Sequence, residues 1–244
     1  MDSQLQTNVL EQQMQDPGIS AAQISPDLVR GYRGIYNRFF KRCGDLVLAL
    51  ILVCILSPIL VLIALAILID SGQPVFYRAE RGGYLGNNFR IFKFRTMVQN
   101  ADKIGGGTTA LYDNRITKVG AFLRKTKIDE FANLFSILKG DMSFIGPRPE
   151  LTRYTVQYHG TEKLIEQVRP GITDFSSLEF INLDEIVGTE NADEMFERHV
   201  LPRKNKLRVK YAACVSLSTD IKLFFLTIWR VIRKAGKFIT NKKH

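Results

Sequence analysis

Cysteine and histidine are scarce: three of each occur in 244 residues. The cysteines, at 43, 54 and 214, have no CxxC spacing. Neither a disulfide scaffold nor a Cys/His zinc module is expected. Residues 1–29 contain no Lys, no Arg and no aromatic side chain. With no basic n-region and no early apolar run, they do not read as a signal peptide. They read instead as a poorly ordered, weakly acidic tail with room for a short helix. No Lys-Ser/Thr comes after the run Gly105-Gly106-Gly107, so a P-loop is not expected and 102–109 reads as a mobile loop. Acidic residues are also in deficit, 24 against 34 Lys plus Arg, for a net charge of +10. That excess calls for an anionic partner: nucleic acid, an acidic lipid surface or a phosphorylated small molecule. No RNP, zinc-finger or bZIP signature supports nucleic acid.

What is present is concentrated. Apolar residues make up 45% of the chain, enough for a sizeable core. Mean hydropathy is near zero, but one segment departs sharply from it. Leu46 to Ile69 is 24 residues without a charge. As a straight helix it is about 36 Å long, against about 30 Å for a bilayer core. A buried core helix is the weaker reading at that length. Ser57-Pro58 sits at its middle, where a proline removes a backbone donor and clashes with the preceding turn. Basic residues flank both ends: Arg30, Arg33, Arg38, Lys41 and Arg42 before it, and Arg78, Arg81, Arg90, Lys93 and Arg95 after it. Basic flanks favour the cytoplasmic side. A re-entrant helix over 46–69, broken at Ser57-Pro58, puts both flanks there; a Pro-kinked crossing helix is the alternative.

Beyond Asp70 the pattern changes. Val75-Phe76-Tyr77 and Phe89 to Phe94 are β-prone runs separated by glycines, a hairpin with a long loop. A helix is expected from about Thr126, with Phe131, Leu134, Phe135 and Leu138 on one apolar face and Lys139-Gly140 at its end. Charged helical patterns occupy 161–169 and 191–211. The last element, about 219–237, sets Arg230, Arg233, Lys234 and Lys237 on one stripe and Phe225, Ile228, Trp229 and Ile232 on another. That suits a helix lying on an anionic membrane, or a globular surface helix. The resulting expectation is an α+β, mainly helical protein with a re-entrant helix-break-helix, interfacial amphipathic helices and a small β-hairpin. Its segments are a tail (1–29), a membrane-associated segment (30–70), a catalytic domain (71–215) and a membrane-surface helix with a basic tail (216–244).

Two features could carry chemistry. Asp129-Glu130 is an acidic pair with Arg124, Lys125 and Lys127 just upstream. Positive charge keeps a carboxylate ionised, and an ionised carboxylate can attack phosphorus without a separate base. Thr126-x-x-Asp129 also resembles a capping box, a purely structural reading. Arg148 lies between Pro147 and Pro149, which restrict the backbone and suit a guanidinium to gripping phosphate; an ordinary turn is the alternative. Lys93, Arg95 and Arg115 are further phosphate-binding candidates. No metal-ligand spacing is present, but Mg²⁺ needs only one or two carboxylates plus substrate phosphates.

These residues together resemble the bacterial sugar transferase family, the small monotopic phosphoglycosyl transferases. The likeness runs from about Tyr36 to Arg233. It includes Lys41-Arg42-Cys43-Gly44-Asp45, Ser57-Pro58, Asp70 to Arg78, Glu80-Arg81-Gly82-Gly83, Lys93-Phe94-Arg95-Thr96-Met97 and Asp113 to Gly120. It is strongest over Arg124 to Glu130 and Leu138 to Glu150, and it extends to Arg169-Pro170-Gly171-Ile172-Thr173. The resemblance implies transfer of a sugar-1-phosphate from a UDP-sugar to polyprenyl (undecaprenyl) phosphate, at the cytoplasmic face of a bacterial inner membrane, with release of UMP. It implies Asp129 as nucleophile, Glu130 in metal binding or proton handling, Mg²⁺ held by the pair, and Arg148 and Arg124 on phosphates. Membrane lipids are implied partners, and a homodimer stays open. The chain departs from the family at Phe131-Ala132-Asn133, at Ser136 and at Asp174-Phe175-Ser176-Ser177. The last departure implies a different sugar pocket. With fewer than fifty residues before the apolar run, the chain resembles the minimal members.

Overall fold

The computed structural model describes residues 2–104, 113–183, 186 and 192–241. The glycine-rich segment 105–109 lies outside the described residues. Six main helices are α1 (Asp2–Gln15), α2 (Lys41–Ser71), α3 (Lys118–Thr126), α4 (Asn133–Lys139), α5 (Leu201–Cys214) and α6 (Leu217–Asn241). The strands are short: β1 (Phe76–Tyr77), β2 (Glu80–Arg81), β3 (Phe89–Arg90), β4 (Lys93–Phe94), β5 (Ser143–Ile145) and β6 (Gly171–Thr173). The fold is therefore α+β and mainly helical.

The expected hairpin forms in two steps. β1 pairs antiparallel with β4, with Tyr77 opposite Lys93, and β2 pairs with β3, with Arg81 opposite Phe89. β5 and β6 form a parallel pair that the sequence pattern does not announce. At its edge, Gly146 and Gly171 lie so close that a β-carbon on Gly171 would overlap the Gly146 backbone, and one on Gly146 would overlap the Arg169 carbonyl. Only glycine permits that approach, and it fixes the start of Pro147-Arg148-Pro149.

Helix α2 dominates one side. Its inner stripe, Asp45, Ala49, Leu60, Ile63 and Ile67, is buried, with Leu52, Val53 and Leu56 partly buried along the same line. These positions recur every three or four residues, so one helical face rests on the globular body along its length. Ala49 meets Leu134, Ile137 and Met142; Leu60, Ile63 and Ile67 meet Phe94, Leu123 and Ala132. The outer face is bare, with Val47, Ile51, Ile55, Leu62 and Leu65 exposed and Ile69 87% exposed. Tyr36–Ser71 is long and apolar enough to cross a membrane, and only 17% of its most apolar stretch is buried, which argues against a core helix.

Both ends of α2 are tied to the same body. Arg42 donates to the carbonyls of Ile137 (2.6 Å) and Leu138 (3.2 Å). The Asp45 carboxylate accepts from the Phe144 N–H at 3.2 Å. At the far end, Asp70 accepts from the Val119 N–H (3.0 Å), and Arg95 donates to the Ser71 and Gly72 carbonyls (2.8 and 2.6 Å).

The residues expected to break the helix lie within it: α2 is helical from Lys41 to Ser71 with Pro58 inside. The reason is local. Pro58 lacks the N–H that would bond the Cys54 carbonyl four residues back. The Ser57 hydroxyl donates to that carbonyl at 2.9 Å and takes the missing donor's place.

The tail at 1–29 also differs from expectation. α1 is a helix, and Leu10, Met14, Ala21, Ile24 and Val29 are buried in the core built around Leu207, Val209, Tyr211 and Ala212 of α5. A tail without cations folds here because α5 supplies them. Arg203 donates to the Met14 carbonyl at 3.1 Å, Lys206 to that of Asp16, and Lys210 lies 3.6 Å from Glu11.

Helix α6 is amphipathic as expected. Leu223 is buried, while Phe225, Ile228, Trp229 and Ile232 are exposed. Its start is pinned by Asp220, which accepts from the hydroxyls of Tyr36 (2.9 Å) and Tyr211 (2.7 Å) and pairs with Lys41. Arg230 folds back onto the Leu178 carbonyl, so it does not extend the basic stripe.

Candidate active site

The acidic pair does not begin a helix at Thr126. Thr126 ends α3, and its hydroxyl bonds backward to the Phe122 and Leu123 carbonyls (2.8 and 3.2 Å), so it does not cap the turn that holds the pair. Lys127 then enters the left-handed region (φ 60°, ψ 13°), and Ile128–Ala132 forms a 3₁₀ turn leading into α4. This reversal buries Asp129, which is 1% exposed. Strand β4 lies against the 3₁₀ turn and brings Lys93 onto the pair. The Lys93 ammonium is 2.8 Å from Asp129 Oδ2 and 3.8 Å from Glu130 Oε1.

Arg148 completes the cluster. It bonds both Glu130 oxygens, Nη1 to Oε2 at 2.9 Å and Nη2 to Oε1 at 2.7 Å, and reaches the Ile172 carbonyl at 3.3 Å. Burial by itself would raise the Glu130 carboxyl. The Arg148 and Lys93 charges, the hydrogen bonds from Arg148 and the Lys127 charge outweigh it and hold Glu130 well below the usual carboxylate range. The Arg148 guanidinium is raised in turn, chiefly by Glu130.

Asp129 Oδ1 is buried and accepts no hydrogen bond. The carboxylate is thus held at one oxygen and left without a partner at the other. Among the described residues, no three His, Cys, Asp or Glu gather into a metal site. Two adjacent carboxylates, one with a buried oxygen that no donor satisfies, fit Mg²⁺, which takes one or two carboxylates and completes its shell from substrate phosphates and water.

The structure thus gathers Asp129, Glu130, Lys93 and Arg148. Three other candidates have different duties. Arg95 is buried and clamps the C-terminal end of α2. Arg115 is held by Asp113 through Nε (2.8 Å) and Nη2 (2.6 Å), and donates to the Ala101 carbonyl at 3.0 Å. Arg124 reaches Thr96 Oγ1 at 3.4 Å rather than either carboxylate. Ser57 and Pro58 lie mid-helix in α2.

Sequence reasoning missed the foundation beneath Arg148. Glu150, two residues on, is 8% exposed and takes Lys204 at 2.8 Å and Arg208 at 2.5 Å. Lys204 and Arg208 stand four apart on α5, a spacing that places two cations on one helix face. Burial pushes the Glu150 carboxyl up, but Lys204 and Arg208 prevail and hold it well below the usual range. Such a carboxylate stabilises the fold fully above its unfolded pKa, about 4.3, and less as pH falls below that value. Glu130 acts in the same sense. The thermal midpoint is therefore expected to hold from about pH 7 to 5 and to drop below about pH 4.5. Glu150→Gln leaves two buried cations without a counter-charge. It should cost about 3–5 kcal/mol at neutral pH and flatten the acid decline, as read by thermal unfolding across pH.

Asp174, at one of the departures from the family pattern, is fully buried. Its carboxylate accepts from the Ser176 and Ser177 hydroxyls and the Ser177 N–H, all at 2.7–2.9 Å, capping a one-turn helix. Ser136 accepts from the Phe92 N–H at 3.1 Å.

Adjacent carboxylates among three cations, beside a helix with a bare apolar face, define a site suited to anionic, phosphorylated substrates near a membrane. The family model described as bacterial sugar transferase matches residues 36–234, and the chain belongs to that family. It is similar to the UDP-glucose:undecaprenyl-phosphate glucose-1-phosphate transferase of Escherichia coli K12, at 35% identity over 80% of this chain and 40% of that protein. It is likewise similar to the undecaprenyl-phosphate glucose phosphotransferase of Komagataeibacter xylinus, at 36% identity over 81% of this chain and 37% of that protein. The chain thus spans about two-fifths of the length of these two relatives. A third relative, the uncharacterized sugar transferase EpsL of Bacillus subtilis strain 168, is 34% identical over 82% of this chain and 91% of its own length.

Proposed function

We propose that this protein transfers a sugar-1-phosphate from a UDP-sugar to undecaprenyl phosphate or a similar polyprenyl phosphate, through a phosphosugar carried on Asp129. The observation that carries the reading is the Asp129 carboxylate, braced by Lys93 at 2.8 Å while its other, buried oxygen has no hydrogen-bond partner. The relatives' names supply the substrate class.

The first step forms a bond between an Asp129 oxygen and the β-phosphorus of the donor. The bond from that phosphorus to the bridging oxygen breaks, and UMP leaves with the oxygen. An oxygen of the polyprenyl phosphate then attacks the same phosphorus, the acyl-phosphate bond breaks, and Asp129 returns as a carboxylate. Two displacements let a soluble donor and a membrane-bound acceptor use one site in turn. Lys93, 2.8 Å from Asp129 Oδ2, pairs with the carboxylate and orients it. Arg148 holds Glu130 in place and offers cationic charge to the phosphates. Asp129 and Glu130 are the residues to hold Mg²⁺, which when bound supplies charge neutralisation at the diphosphate.

The bare faces of α2 and α6 support seating in a membrane, and the anchoring of both α2 ends to one body supports placing those ends on one side. We assign that side to the cytoplasm of a bacterial inner membrane, since basic residues flank both ends. In a cysteine-free background, single Cys at positions 35 and 75 should both resist a membrane-impermeant thiol reagent in intact cells. Labelling of either from outside overturns the assignment.

The function itself is tested by nucleotide release, with polyprenyl phosphate, Mg²⁺ and a panel of UDP-sugars. UMP in step with lipid-linked sugar supports the proposal. UDP would show transfer of the sugar alone. No nucleotide with any donor would favour a catalytically inactive membrane scaffold of a polysaccharide assembly complex.

A further inference from the structure

We propose that Lys127 is a binding residue for the donor's diphosphate, set beside the carboxylate pair by a left-handed turn that does not itself call for a lysine. The inference rests on the UDP-sugar reading.

The backbone at Lys127 joins α3 to the 3₁₀ turn. Its N–H donates to the carbonyls of Leu123 and Arg124, and its own carbonyl accepts from the Glu130 N–H at 3.2 Å. The residue sits at a φ of 60°. Glycine adopts that conformation most easily and asparagine next, while a residue with a long side chain is disfavoured there. The turn therefore does not explain why a lysine occupies it.

The side chain does. Lys127 is exposed, and among the described residues no carboxylate lies within ion-pair distance of its ammonium. Lys93 is committed to Asp129 and Glu130, and Arg148 to Glu130. Lys127 nevertheless belongs to the same group of charges: its backbone carbonyl takes the Glu130 N–H, and the pKa of its ammonium is lowered first by the surrounding protein and then by Arg148 and Lys93, against the opposing pull of Glu130 and Asp129. Three cations around two carboxylates leave one positive charge over, carried by the side chain that has no partner to give up. That charge is available to an incoming diphosphate, and no existing ion pair must break to provide it.

Backbone and charge can be separated. Lys127→Gly and Lys127→Asn keep the left-handed turn and remove the ammonium; Lys127→Arg keeps the charge. The readouts are affinity for UDP, by titration calorimetry on the full chain in lipid nanodiscs, and the thermal midpoint. The Gly and Asn variants should each bind UDP about tenfold more weakly than wild type, with thermal midpoints unchanged or raised. The Arg variant should stay within about threefold of wild type. UDP affinity unchanged in the Gly and Asn variants would overturn the assignment, as would an Arg variant as weak as they are. A wild-type protein that fails to bind UDP would instead overturn the UDP-sugar reading, and this assignment with it.

Discussion

Asp129→Asn is expected to lower turnover by about 10⁴-fold or more, the scale seen when a covalent nucleophile is removed. The substitution is nearly isosteric, so the 3₁₀ turn over Ile128–Ala132 and its packing against β4 should persist. What changes is chemical. An amide is a poor nucleophile towards phosphorus, and its oxygen carries no charge to pair with the Lys93 ammonium at 2.8 Å. The variant should still bind UDP, because Lys93, Lys127 and Arg148 all remain. A turnover loss of about four orders of magnitude with UDP affinity kept within about tenfold separates loss of a nucleophile from loss of a binding site. Full turnover in Asp129→Asn would show that the carboxylate does not attack.

Arg148→Ala should reduce kcat/KM by about 10²- to 10³-fold, as when one charge-stabilising donor is taken from a reaction site. Two effects combine. The donor phosphates lose a guanidinium, and Glu130 loses both hydrogen bonds that hold it. Glu130 is then left with Lys93 at 3.8 Å as its nearest counter-charge. Leaving that carboxylate under-satisfied should cost about 1.5–3 kcal/mol of stability. Arg148→Lys discriminates between the two. An ammonium restores charge but cannot bond both Glu130 oxygens in a plane, so activity should recover only in part. Wild-type activity in the lysine variant would show that charge alone matters at this position.

The elements of the site were largely legible in the sequence, and their wiring was not. Asp129, Glu130 and Arg148 stood out by pairing, by neighbouring cations and by flanking prolines. Lys93 entered only as one of several cations, because its role depends on β4 folding back against a turn 36 residues further along the chain. Arg95 and Arg115 carried the same charge signal as Lys93 and proved to be anchors, one on the end of α2 and the other on Asp113. A sequence shows that an arginine is present; the fold decides which carbonyl or carboxylate lies beside it. The turn at Lys127 had no local marker, since lysine is not a residue that announces a left-handed backbone.

The same distinction explains the two larger departures in the fold. The rule that proline breaks a helix supposes that nothing replaces the lost donor, and in α2 the adjacent Ser57 hydroxyl does so. The composition of residues 1–29 is that of a tail unable to bury enough apolar surface by itself. It is ordered by partners nearly two hundred residues away, the apolar and basic faces of α5. By contrast the apolar helix, the basic flanks and the amphipathic α6 were readable, because periodicity and charge are properties of the segment itself.

The central claim is that Asp129 carries the phosphosugar, and mapping the covalent adduct tests it most directly. The full chain is incubated with Mg²⁺ and a UDP-sugar radiolabelled at its β-phosphate, without polyprenyl phosphate, then cleaved and its peptides analysed. The account predicts label on the peptide containing Asp129, none in Asp129→Asn, and discharge of the label into lipid when polyprenyl phosphate is added. Turnover without any labelled protein, or label on a different residue, would contradict it.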